Sequence, residues 1–227
     1  MAISTAMCTS FKSELLAGAH CFNATVTPTA SITSASTSVT AVSSMASVGV
    51  GMGVTATNIA ANTIIATITG ASTMTLSIAS TGAVSGTAIT VAGDVFKMAL
   101  IKPSMAGTYG AASVNYTDVT GNTDETSGTG YTATGLALTN VSPATGGTVA
   151  YVTFSPNPTW TSSTFSTAGC MIYNSSVRKG GTSGTNTTGG GRACSVHDFG
   201  GSQSVSSGTF TVLMPTADSA NAILRVS

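Results

Sequence analysis

The chain has 227 residues, and only 6% of them are charged, whereas about 25% is usual for a soluble domain. Seven basic and seven acidic residues give a formal net charge of zero, which excludes nucleic-acid binding through a converging basic patch. Hydrophobic residues still make up 42%, so the composition also excludes a typical disordered chain. A surface so poor in charge predicts a protein that functions within an assembly; the alternative is an extracellular domain kept soluble by Ser and Thr.

A short amphipathic helix is predicted near the N-terminus. The apolar residues between positions 11 and 22 fall on one helical stripe, and Ser10 is its predicted N-cap. The stripe consists of Phe11, Leu15, Leu16, Ala19 and Phe22. The opening residues do not resemble a secretion signal, and no apolar run approaches the length of a membrane span. We therefore expect the protein to be made in the cytoplasm and used without export, with no membrane partner.

The segment 23–93 contains no charged and no aromatic residue. Short bursts of β-branched residues alternate there with Gly, Asn and Ser, which predicts a small β-module with tight turns. The predicted strands are Ser38–Val42, Thr63–Ile68, Met74–Ile78 and Ala88–Val91. Because no aromatic side chain anchors its core, we expect the module to be thin and to gain stability from neighbours.

Residues 94–227 carry nearly all of the charge and most of the aromatic residues. About seven short strands separated by Gly, Pro and Asn predict an antiparallel sandwich. These strands are Val95–Ile101, Gly130–Leu138, Thr148–Phe154, Phe165–Tyr173, Arg192–Phe199, Gly208–Met214 and Asn221–Val226, with a turn at Phe199–Gln203. The predicted fold is all-β: an antiparallel β-sandwich with a short N-terminal helix, formed by 1–22 and 94–227, into which 23–93 is inserted.

Several segments of the main domain resemble a family of small structural proteins of tailed-bacteriophage and prophage virions. They are Met1–Leu16, Phe96–Leu100, Ser127–Tyr131, Gly169–Asn174, Gly208–Val212 and Ala222–Val226, in this order. The inserted module, with Gly51–Val54 and Asn58–Ile65, resembles β-modules found in other phage structural proteins. The resemblance implies a non-enzymatic particle protein without a cofactor.

Two positions on such a particle are open. The first is a capsid decoration, or cement, protein on the capsid surface, whose partners are the major capsid protein and its own copies, as a homo-oligomer and most simply a homotrimer. The second is a tail or head-fibre component that binds a host receptor or glycan. The compact predicted sandwich, without a coiled coil or fibrous repeat, favours the decoration role.

One Gly-rich loop, 180–191, is flanked by the only clustered cations: Arg178, Lys179 and Arg192. They are the candidate partner-contact residues. The four cysteines form no Cys-x-x-Cys pair, so zinc is not expected, and Cys170 and Cys194 are interpreted as reduced core thiols. We predict no catalytic residue, no cofactor site and no metal site.

Three groups of residues allow more than one interpretation. His197 and Asp198 are adjacent on a predicted strand, so their side chains should point to opposite faces and not form a base–orienter pair. Asp118, Asp124 and Glu125 could offer oxygen ligands to calcium or simply occupy a solvated loop. Six aromatic residues should form the core of the sandwich, unless several are exposed as a sugar-binding platform: Phe154, Trp160, Phe165, Tyr173, Phe199 and Phe210.

Overall fold

The computed structural model describes residues 1–176 and 191–227. The chain divides into two compact units. Unit 1 comprises Met1–His20, Val95–Thr139 and Thr153–Leu224, and unit 2 comprises Cys21–Asp94, Asn140–Val152 and Arg225–Ser227. The predicted class, an all-β sandwich-type fold with a short N-terminal helix, is confirmed.

Seventeen regular elements lie within the described residues. The helices are α1 (Thr9–Leu16) and α2 (Thr117–Gly121). The strands are β1 (Ala6–Met7), β2 (Thr29–Ile32), β3 (Ser38–Thr40), β4 (Gly53–Thr55), β5 (Ile65–Gly70), β6 (Thr73–Leu76), β7 (Val84–Ala88), β8 (Thr90–Ala92), β9 (Phe96–Ile101), β10 (Leu136–Leu138), β11 (Ala144–Gly146), β12 (Val149–Val152), β13 (Thr159–Asn174), β14 (Arg192–Thr211) and β15 (Leu224–Val226).

Unit 1 is built on one antiparallel sheet with the strand order β1-β14-β13-β9-β10. The central strands β9 and β13 are apolar on both faces: every residue from Met98 to Ile101 is buried, as is every residue from Gly169 to Asn174. A strand that alternated polar and apolar residues would be covered on one face only. This central part of the sheet is therefore covered by protein on both faces.

The predicted turn at Phe199–Gln203 is wrong, because these residues lie inside the 20-residue strand β14. Thr167 of β13 pairs with Gln203 and Gly169 pairs with Asp198, so residues 199–202 lie opposite the single residue 168. Gly200 and Gly201, at φ +75° and +139°, adopt the backbone that this bulge requires. The two glycines accommodate the extra residues as a bulge within one strand and do not form a turn between two strands.

Helix α1 is shorter than predicted, and its predicted cap is wrong. The N-cap is Cys8 without a side-chain hydrogen bond, and Ser10 lies within the first turn. The helix ends before Gly18, whose left-handed φ of +67° cannot continue it. Within the helix, Leu16 is 92% exposed instead of joining the predicted apolar stripe, whereas Phe11 is buried.

Unit 2 contains an antiparallel sheet of order β5-β6-β3-β2-β7, a two-stranded β4-β8 sheet and a small β11-β12-β15 sheet. Its buried apolar cluster contains no aromatic residue, and the fully buried Met52 and Met74 are among its largest side chains. Methionine is unbranched and adaptable, so it can fill irregular gaps between small β-branched residues. The core is thus as free of aromatic residues as the sequence predicted.

The boundaries of unit 2 differ from the predicted 23–93. The strand expected at Thr148–Phe154 is β12, and it belongs to unit 2 together with β11 and residues 225–227. Hydrogen bonds tie this distant segment to the start of the unit, since Ala24 N donates to Ser142 Oγ at 3.0 Å. Asn140 Nδ2 donates to the carbonyl oxygens of Asn23 and Asp94, at 3.3 and 2.9 Å.

Candidate functional site

One face of the five-stranded sheet in unit 2 is covered by hydroxyl groups. Along β2, β3 and β6, buried apolar residues alternate with Ser or Thr residues that point outward. The inward positions include Ala30, Val39 and Met74, which are fully buried. The outward positions are Thr29, Ser31, Ser38, Thr40, Thr73 and Thr75. We call these six residues, together with Thr67 and Thr69 of β5, the hydroxyl face.

Many groups of the hydroxyl face already have hydrogen-bond partners within unit 2. Thr67 Oγ1 and Thr75 Oγ1 lie 2.6 Å apart, and Thr69 Oγ1 donates to Thr73 Oγ1 at 3.0 Å. Ser31 Oγ accepts from Gly86 N at 3.1 Å. Polar groups that are paired in this way cost less to cover than unpaired ones, which would lose their water without compensation. The hydroxyl face is therefore polar, but burying it against another surface costs little free energy.

Both edges of the same sheet are irregular. Strand β5 carries an extra residue at two points of its pairing with β6, and β7 carries one in its pairing with β2. Natural proteins use such bulges to discourage edge-to-edge pairing with other chains. We therefore expect unit 2 to make contacts through its faces instead of by strand addition.

The structure gives Arg192 an intramolecular role. Its Nε lies 3.9 Å from Glu14 Oε1, its Nη1 donates to the Ala19 carbonyl oxygen at 3.3 Å, and its side chain is 12% exposed. Burial raises the pKa of Glu14 above its ordinary value, and Arg192 opposes the rise. Arg178 and Lys179, the other predicted contact residues, lie outside the described residues. The predicted cationic cluster therefore rests on two residues that the structure does not describe.

The Glu14 carboxylate also holds a buried histidine. Glu14 Oε2 lies 2.8 Å from His20 Nε2, and Asn174 Nδ2 lies 2.9 Å from His20 Nδ1. Ser176 N donates to Asn174 Oδ1, so the amide nitrogen of Asn174 must face the imidazole. His20 thus accepts at Nδ1 and donates from Nε2, which is the neutral tautomer. No signal in the sequence linked residues 14, 20, 174 and 192.

The carboxylates of the 118–125 segment are not collected around one point, and Asp124 is not solvated. Asp124 is fully buried and accepts from Ala106 N, Gly107 N and Tyr109 Oη. Asp118 accepts from Val114 N at 2.8 Å. Each carboxylate is thus used by donors of unit 1, and the described residues hold no group of three or more acidic, His or Cys side chains suited to a metal. The solvated-loop interpretation is wrong for Asp124.

Glu125 forms a second carboxylate cluster with tyrosines. Its Oε2 accepts from Tyr116 Oη at 2.5 Å and its Oε1 accepts from Tyr131 Oη at 2.7 Å. Burial, and then the hydrogen bond to Glu125, raise the pKa of both phenols well above the ordinary value. Tyr116 also stacks on Tyr173 with ring centroids 4.4 Å apart. These tyrosines stay protonated and serve as donors that fix the segment.

The aromatic residues form the core of unit 1, as predicted, and not an exposed platform. Phe154, Trp160, Phe165 and Tyr173 are all 5% exposed or less. Phe199 and Phe210 are half-buried, with ring centroids 6.4 Å apart. A sugar-binding platform would need several rings exposed on one face, and these six do not provide it.

An open pocket of about 390 Å³, called the cavity below, lies entirely within unit 1. Its walls come from β9, β13, β14 and the chain that follows β14. Most of them are apolar, and the lining includes Met98, Cys170, Phe199, Phe210 and Met214, with His197 and Gln203 as polar members. This volume is within the range of small-ligand sites in proteins. Sequence reasoning missed the cavity because its walls are up to 125 positions apart.

His197 and Asp198 point to opposite faces, as predicted. His197 lines the cavity with Nε2 2.9 Å from Ser195 Oγ, whereas Asp198 is exposed and accepts from Gly200 N at 2.9 Å. Burial lowers the pKa of His197 below its ordinary value, which favours the neutral imidazole. Cys8, Cys170 and Cys194 are buried thiols.

Comparison with protein-family models, curated proteins and solved structures finds no match for this chain. Over residues 1–176 and 191–227, the helices lack the length and apolar character needed to cross a membrane.

Proposed function

We propose that this protein is a non-enzymatic structural component of a bacteriophage particle, a decoration protein that stabilises the capsid by contacts with the major capsid protein and with its own copies. The observation that carries the proposal is the hydroxyl face of unit 2. This face is uncharged, four of its eight hydroxyl groups are paired among themselves, and it belongs to a segment of 71 residues without a single ionisable side chain. Interface cores are depleted of charge in the same way.

Exposed apolar side chains support the same role. On unit 2, Val50 is 60% exposed, Ile68 42% and Ile78 41%, with no charged residue between positions 23 and 93 to keep neighbours apart. At about 25 cal/mol per Å² of apolar area, a contact of a few hundred Å² yields only several kcal/mol before association costs. Repetition over a symmetric shell converts such weak contacts into firm retention.

Introducing charge at the centre of the hydroxyl face should release the protein from particles. Strand β3 is the middle strand of the sheet, and Ser38 and Thr40 point outward from it. We expect the double variant Ser38→Lys/Thr40→Lys to lower occupancy on reconstituted particles at least about tenfold, because two desolvated ammonium groups would each cost more than 1 kcal/mol. Copies per particle are counted by quantitative mass spectrometry.

The matched control is Thr209→Lys together with Ser206→Lys, two exposed positions on unit 1. These changes add the same charge elsewhere and should leave occupancy within about twofold. Equal occupancy of both double variants and the unmodified chain would contradict the role of the hydroxyl face. A copy number of three to a few dozen, instead of hundreds, would place the protein in the tail or a fibre.

Retention on the particle should depend little on salt. Only seven basic and seven acidic residues exist in the chain, and Arg192, Glu14, Lys102 and Asp124 are engaged in ion pairs within unit 1. Since salt screens charges and leaves apolar contacts intact, raising sodium chloride to about 1 M should release less than a tenth of the protein. Urea or heat should release it. Complete release by salt alone would point to Arg178 and Lys179 as electrostatic anchors.

A further inference from the structure

Four side chains with soft donor atoms line the cavity of unit 1. They are the thioethers of Met98 and Met214, the thiol of Cys170 and the imidazole of His197. They come from β9, from the chain after β14, from β13 and from β14, so the tertiary fold alone brings them together. No carboxylate and no Lys or Arg is among the described residues that line this cavity.

The sheet register places three of these donors on one face. Cys170 and His197 are directly opposite each other on neighbouring strands, so their Cβ atoms are about 5 Å apart. On the other side of β13, Cys170 pairs with Leu100 and Ile172 pairs with Met98. Met98 is thus a diagonal neighbour of Cys170 on the same face, within reach of a long side chain. Met214 lines the cavity from the segment that follows β14.

His197 is prepared to act as a ligand through one nitrogen. Ser195 Oγ lies 2.9 Å from Nε2, and among the described residues Nδ1 has no hydrogen-bond partner. A hydrogen bond at one ring nitrogen orients the imidazole and leaves the other for a metal, the usual arrangement around metal-bound histidine.

We propose that Met98, Cys170, His197 and Met214 form a binding site for a soft monovalent metal ion, copper(I). Thiolate and thioether ligands select copper(I) over hard cations, which prefer oxygen ligands. Charge balance favours the same ion. One copper(I) and one thiolate sum to zero, whereas a divalent ion with one thiolate would leave a positive charge in an apolar cavity.

Binding is an exchange of one cation for another. The cation that leaves is the proton of the Cys170 thiol. When copper(I) enters, the sulfur–hydrogen bond breaks, a copper–sulfur bond forms and the proton leaves to solvent. No electron is transferred, and the net charge of the cavity stays at zero. Copper(I) affinity should therefore rise with pH, because a proton is released when the ion binds.

The test is a competition titration of the full-length protein with copper(I) and a coloured copper(I) chelator, under a reducing agent and without oxygen. We expect one equivalent to bind. Cys170→Ala and His197→Phe should weaken binding by at least about 10- to 100-fold, since even the loss of a second-shell partner has that effect. Met214→Leu, a volume-conserving change at a half-buried position, should weaken it by about tenfold.

The matched controls are Cys194→Ala and Met74→Leu, a buried thiol and a buried thioether that do not line the cavity. They should bind copper(I) like the unmodified protein. Fluorescence of Trp160, the only tryptophan, reports whether unit 1 is folded in each variant. If Cys170→Ala does not fold, Met214→Leu decides the outcome. Unchanged affinity in the cavity variants, loss in the controls, no binding at all, or tighter binding of zinc(II) would each overturn the proposal.

Discussion

Replacement of Asp124 by Asn is expected to lower the free energy of unfolding of unit 1 by about 3–5 kcal/mol, the range for breaking a buried charged pair. Asp124 is fully buried, and its two oxygens accept from Ala106 N, Gly107 N and Tyr109 Oη at 2.5–2.8 Å. Lys102 Nζ lies 3.3 Å from Oδ1. An amide at this position would turn an NH₂ group toward donors and leave one or more of them without an acceptor.

The same carboxylate makes unit 1 sensitive to acid. Burial works to raise the pKa of Asp124, but the hydrogen bonds from Tyr109, Ala106 and Gly107, with Lys102 nearby, outweigh it and hold the pKa below its ordinary value. A depressed pKa stabilises the folded state above the unfolded-chain value of about 4, and this contribution is lost as the pH falls through the folded-state pKa. The Asn variant should therefore lose less stability between pH 5 and pH 2 than the unmodified protein.

Urea unfolding followed by Trp160 fluorescence at several pH values measures both effects in unit 1. Asp198→Asn is the control, because Asp198 is exposed and accepts only a local hydrogen bond from Gly200 N. That change should stay within about 0.5 kcal/mol at pH 7. Equal midpoints for the two variants would show that the Asp124 cluster does not stabilise the fold.

Replacement of Gly135 by Ala should destabilise unit 1 by about 2–5 kcal/mol. Gly135 has a φ of +70°, and a Cβ built on it would lie 1.9 Å from the Met98 carbonyl oxygen and 2.8 Å from Ala99 Cα. The left-handed backbone costs a non-glycine residue about 1–2 kcal/mol. Displacing the backbone of β9, a buried central strand, adds about 1–3 kcal/mol. The clash involves main-chain atoms, so rotation of a side chain cannot relieve it.

Gly200→Ala separates the two contributions. Gly200 has nearly the same φ, +75°, but a Cβ there would meet nothing within 4 Å. This control should show the conformational cost alone, about 1–2 kcal/mol. The difference between the urea midpoints of the two variants then measures the cost of the close approach to β9 of the turn at residues 132–135, in which Gly135 N donates to the Thr132 carbonyl oxygen. A difference near zero would mean that the turn moves away without cost.

The sequence by itself determined the class of the fold. Recurrent Thr, Val and Ile with polar alternation, as in Ser38-Val39-Thr40 and Thr73-Met74-Thr75-Leu76, set which side chains of unit 2 are buried and which form the hydroxyl face. The period of a strand is local, so this information is contained in a few neighbouring residues. The strand predicted at Val95–Ile101 likewise follows from a local pattern, and the structure contains it as β9.

Only the tertiary structure decided which distant residues meet. Gly200-Gly201 suits a turn or a bulge equally well, and the choice depends on whether β13 is long enough to pair with both halves of β14. The neighbours of Asp124, the Glu14–His20–Asn174 hydrogen bonds and the four soft donors of the cavity each join segments far apart in the chain. Such contacts follow from strand order and register across the sheet, which the periodicity of any one segment does not contain.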